Sequence, residues 1–159
     1  MSEEVYLKDG IQSFCGEIKE SACYALSLLD VAREYNHKYN NAKTFDLLEL
    51  LYMACSSTDK TGVIYYNRDN LNDNNNFYVQ RPEELLKMAT GKEWKVVKEY
   101  NTRYHVQNKK EYIINYYERE CTGHVTGHFE REKFHPIKNS LTVKYGSLKS
   151  LRVCTVIYG

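Results

Sequence analysis

Only two prolines, Pro82 and Pro136, and eight scattered glycines punctuate this chain of 159 residues, and no stretch of it repeats. Without a linker or a repeat, and at about 100–200 residues per domain, the sequence reads as a single domain over 1–159. No run approaches the ~18 consecutive apolar residues of a membrane-spanning helix, so no membrane partner is expected. Charge of either sign is not in excess: 22 Lys+Arg face 21 Asp+Glu, a formal net charge of +1. Nucleic-acid and membrane-surface binding rest on a clustered cationic excess, and that support is missing here. There is also no CxxC pair. The five cysteines, Cys15, Cys23, Cys55, Cys121 and Cys154, are odd in number and irregularly spaced, which points to a reducing compartment. The opening MSEEVYLKDG is acidic and polar where a secretory signal is basic and then apolar, so the expected location is cytoplasmic.

What is present is 42% apolar residues, fifteen tyrosines and an asparagine cluster, NRDNLNDNNN at 67–76, that reads as a solvated loop. The segment 21–35, SACYALSLLDVAREY, spaces Ala22, Ala25, Leu26 and Leu29 for one helix face, with Ser21 as the expected N-cap. A second helix is expected from Thr44 to Ala54 and a third from Pro82, a residue suited to a first helical turn, to a stop at Gly91. Beyond Gly91 the chain changes character. EWKVVKEY, TRYHVQ, EYIINYYERE, HVTGHFERE, SLTVKYG and SLRVCTVIY are short, rich in Val, Ile, Tyr, Phe and Thr, and separated by polar turns, as strands of an antiparallel sheet are. Helices first and strands second is the order of an α+β fold with N-terminal helices packed on a C-terminal antiparallel β-sheet.

Cys23 stands in the first turn of the first expected helix. A thiolate there is stabilised by the positive end of the helix dipole, and the free amides of that turn can cradle an oxyanion. The competing reading is a small apolar residue packed under the sheet. His128 follows Gly127 at the start of an expected strand, from whose rim an imidazole can act as general base. His135 or Asn139 can then hold the other ring nitrogen and fix the tautomer, while His124 is the alternative base; each histidine taken singly is equally explained by sheet packing. Cys121, His124, His128 and His135 form C-x2-H-x3-H-x6-H, but without a paired knuckle and with side chains alternating along a strand, so no metal or other cofactor is expected.

Taken together, ACYALSLL at 22–29, TGHF at 126–129, HP at 135–136, LTVKYG at 141–146 and SLRV at 150–153 resemble the papain-like cysteine peptidases. The likeness is to their small bacterial forms: NlpC-type cell-wall endopeptidases, bacteriocin leader peptidases and a group of uncharacterised predicted cysteine peptidases. It covers both ends of the chain and leaves 56–110 unmatched. The resemblance implies a papain-like fold with Cys23 as nucleophile, His128 as base and His135 as orienting third member, and it places an oxyanion donor at Gln12. Ala22 stands where glycine is usual in that group and His135 where Asp is usual. The implied function is a thiol protease or amidase that hydrolyses a peptide, isopeptide or peptidoglycan-like bond through a thioester. The alternative is a catalytically inactive papain-like module that binds a peptide or protein partner in the same cleft, a use to which a tyrosine-rich surface is suited.

Overall fold

The computed structural model describes residues 20–41, 44–55, 62–67, 69–70 and 72–157. A 3-10 turn, Glu20–Ala22, runs directly into α1 (Cys23–Lys38); α2 (Leu47–Ala54) and α3 (Pro82–Thr90) follow, with a short hairpin of β1 (Ile64–Tyr65) and β2 (Tyr78–Val79) between them. Four long antiparallel strands come next: β3 (Glu93–Glu99), β4 (Glu111–Cys121), β5 (His124–Glu130) and, after the short helix α4 (Leu141–Tyr145), β6 (Ser147–Ile157). The strand order is β3-β6-β4-β5, which leaves β5 as an edge strand. This is an α+β architecture. Among the described residues no helix is long and apolar enough to cross a membrane.

Strand alternation sorts the sheet into two unlike faces. One carries Trp94, Tyr112, Ile114, Cys154 and Val156, and against it α1 and α3 bury Ala25, Leu28, Leu29, Leu85, Leu86 and Ala89. At about 25 cal/mol per Å² of apolar area removed from water, this layer is the main source of the fold's stability. The opposite face presents Tyr117, His128 and Glu130, and α4 covers that end of it. Two features of β4 and β5 fix their register. Thr122 and Gly123, both with positive φ (49° and 79°), form the two-residue loop between the strands and set Cys121 opposite His124. Tyr116 folds its ring over Gly127, where a Cβ would run into the hydroxyl and lie 2.8 Å from ring carbons Cε1 and Cζ.

Several expected elements differ from those observed. Ser21 does not cap α1: it lies in the 3-10 turn, and the residue before the helix, Ala22, has helical backbone angles and no side-chain cap bond. The cap of α2 is Asp46, which accepts from the Glu49 amide, so that helix starts three residues after Thr44. Pro82 and Gly91 do bound α3, the glycine in the left-handed conformation. Residues 102–107 form a turn at 102–103 and then irregular backbone instead of a strand: the Asn101 carbonyl receives the Tyr104 amide and Glu111 gathers the Tyr104 hydroxyl and the Gln107 amide. The strand expected at 140–146 is α4, because Ser140 accepts from the Val143 amide and Gly146 packs directly on the Glu118 backbone. Asparagines 67–76 connect β1 to β2 through successive turns in which Asn67, Asn70 and Asp73 side chains accept amides two residues on.

Candidate active site

Cys23 opens α1 against the outer edge of β5. An edge strand carries outward N–H groups with no strand to receive them. Phe129 is such a residue: its amide donates to Cys23 Sγ at 3.2 Å, so the sulfur rests on the peptide joining His128 to Phe129. The neighbouring Tyr24 stacks on the Phe129 ring, centroids 4.3 Å apart, and Tyr116 packs on the same ring at 4.5 Å. The Arg152 guanidinium lies 5.2–5.9 Å from all three ring centroids. These aromatic contacts pin the first turn of α1 to the strand. Cys23 is 3% exposed.

His128 alternates to the other face from Phe129, and its Nδ1 meets Ser140 Oγ at 2.7 Å. Ser140 is the N-cap of α4, and its oxygen already accepts from the Val143 amide at 3.2 Å. A hydroxyl oxygen has two lone pairs, so it has room to accept from Nδ1–H as well, and in that tautomer Nε2 is the basic nitrogen. The side chain holding the ring is therefore Ser140, one residue from Asn139 and five from His135. Asn139 is exposed with φ 56°. His135 Nδ1 instead pairs with the Glu130 carboxylate, which is 8% exposed on the same sheet face as His128. That carboxylate, after burial, also pushes the Tyr117 phenol above its ordinary pKa.

Of the residues marked in the sequence, the fold thus brings Cys23 and His128 to one strand edge, and sets His135 beside Glu130. Gln12 and Cys15 lie outside the described residues. His124 and Cys121 are exposed at the hairpin turn, and among the described residues no three side chains of metal-ligand type gather. Cys154 is fully buried in the central strand β6, with its thiol pushed up to about 12, chiefly by desolvation. Sequence reasoning missed Ser140 because SLTVKYG has strand composition; its available signal was a serine three residues ahead of the Val143 amide it caps, the N-cap spacing. A cavity of about 1240 Å³ opens elsewhere, lined by Asp30, Arg33 and Lys38 of α1 and by Tyr104, Lys109 and Arg131. At 1.5 Å per residue, that stretch of α1 lies roughly 10–22 Å along the helix from Cys23.

No protein-family model, curated protein or solved structure matches the chain.

Proposed function

We propose that the chain is a papain-like cysteine hydrolase that cleaves a peptide, isopeptide or peptidoglycan-like amide, with Cys23 as nucleophile and His128 as base. The observation that supports this reading most is the contact of Cys23 Sγ with the His128–Phe129 peptide at 3.2 Å, with the imidazole held from behind by Ser140. Nucleophilic acyl transfer requires an imidazole nitrogen within reach of the thiol, and the contact brings a helix-start sulfur to the backbone of the residue that carries a tethered imidazole. His128 takes the thiol proton as the sulfur attacks the carbonyl carbon and the C–S bond forms, and it returns that proton to the departing amine as the C–N bond breaks. Water, deprotonated by His128, then cleaves the thioester and frees the acid. Ser140 replaces His135 as the orienting group in this scheme.

Peptide mapping after brief treatment of the native protein with iodoacetamide tests it. Among the described residues Cys121 is an exposed thiol and Cys55 and Cys154 are buried, so each is a control. Preferential labelling of Cys23 is expected, because the thiolate is the nucleophile. Labelling of Cys121 with Cys23 untouched contradicts the hydrolase and favours the inactive binding module.

A further inference from the structure

Tyr116 carries a hydroxyl that the fold delivers to the Cys23 end of β5 and that donates to no described residue. Its position is set from three sides. Phe129 supports the ring from beneath at 4.5 Å between centroids, the Arg152 guanidinium lies 5.7 Å from the ring centroid, and Gly127 leaves the space that hydroxyl and ring edge occupy. Gly127 immediately precedes His128, and Phe129 supplies the amide that holds Cys23 Sγ. The hydroxyl therefore sits on the face of the strand occupied by α1, over the residue next to the base, beside the strand edge where the sulfur lies. Burial first, then the charge of Glu118, raises the Tyr116 pKa; Arg152 opposes this and Cys23 adds to it. The phenol keeps its proton at neutral pH.

We propose that Tyr116 Oη donates a hydrogen bond to the oxyanion formed when Cys23 attacks an acyl carbonyl. This rests on the hydrolase reading above, and it gives to a strand residue the role that the sequence resemblance places at Gln12. In the step concerned, the sulfur electron pair forms the C–S bond and the carbonyl π pair moves to oxygen. Tyr116 donates to that oxygen without surrendering its proton. The pair returns as the leaving group departs. A fixed donor aimed at developing charge needs no reorganisation at the moment of reaction, and loss of one such donor lowers rates by about 10²–10³.

The test compares two reactions of the same sulfur in full-length protein. With p-nitrophenyl acetate, Cys23 passes through a tetrahedral oxyanion, expels p-nitrophenolate and becomes a thioester. With iodoacetamide it displaces iodide from a saturated carbon and no oxyanion forms. In each case the signal counted is the part lost in Cys23→Ala. Tyr116→Phe is expected to slow the p-nitrophenolate burst at least tenfold while iodoacetamide alkylation stays within about twofold. An unchanged burst overturns the inference while leaving the hydrolase reading intact, and equal slowing of both reactions overturns it in favour of a packing role. A wild-type protein that gives no Cys23-dependent burst overturns the hydrolase reading and the inference together. Gly127→Ala, which displaces the ring without removing the hydroxyl, is expected to reproduce the selective loss of the burst.

Discussion

Cys23 and Cys154 both touch the layer between helices and sheet, and both are almost fully buried, yet their surroundings are opposite. Cys154 sits in the central strand, flanked in register by Val96 and Tyr112, where desolvation raises its pKa and holds it neutral. Cys23 sits where a helix starts and a sheet ends. Both elements leave N–H groups unspent at such places, and one of them, from Phe129, is directed at the sulfur. On the proposed hydrolase reading, burial alone does not make a thiol inert. The polar groups that accompany it into the protein decide its chemistry, and a sheet edge supplies them where a sheet centre has used them all.

The largest expected effect separates the two thiols kinetically. Cys154 reaches reagent only through unfolding, so its native alkylation should be slower than that of Cys23 by a factor on the order of 10³ or more. Comparable rates, followed by mass spectrometry of the two peptides, break the contrast.

Alkaline pH probes the centre alone. A thiol whose folded pKa of about 12 lies above its ordinary 9.0 leaves stability intact below pH 9. Above that the unfolded chain ionises first, so stability is lost by up to about 1.4 kcal/mol per pH unit. Urea melts between pH 8 and 11 should show this decline, and Cys154→Ala should flatten it from a slightly lower start. A decline of the same slope in that variant assigns it to other groups, Tyr24 among them, whose phenol burial also raises.

Two substitutions compare the candidates for the orienting role. Ser140→Ala removes the α4 cap and the His128 partner together; the cap is worth about 1 kcal/mol, and Cys23-dependent ester cleavage should fall roughly tenfold. His135→Ala should cost about 1 kcal/mol or less, since it unpairs Glu130 at a largely exposed imidazole, and should leave cleavage within about twofold. Thermal melts and burst rates measured together check both. The reverse ranking restores His135 to the place the sequence resemblance suggested.

The unequal legibility of the sequence follows the same division between local and tertiary causes. Pro82 and Gly91 fix the ends of α3 by constraints that act within one residue, and strands 93–99, 111–121 and 124–130 reveal themselves by their β-branched and aromatic residues. Cys23 is conspicuous because helix starts have a sequence signature. Its partner is not, because which amide faces outward depends on β5 being the edge strand. Ser140 was hidden for a related reason: LTVKY has strand propensity and becomes helical only where Ser140 caps it and Gly146 packs on Glu118. Tyr116 is one tyrosine among fifteen until Gly127 gives its ring a place.

The central claim is that Cys23 and His128 act as one unit, and the rate of Cys23 alkylation at pH 6 in wild type and in His128→Ala measures it directly. The account predicts rapid alkylation in the wild type and a loss of at least tenfold in the variant, with Cys121 unchanged in both. Equal Cys23 rates in the two proteins contradict it.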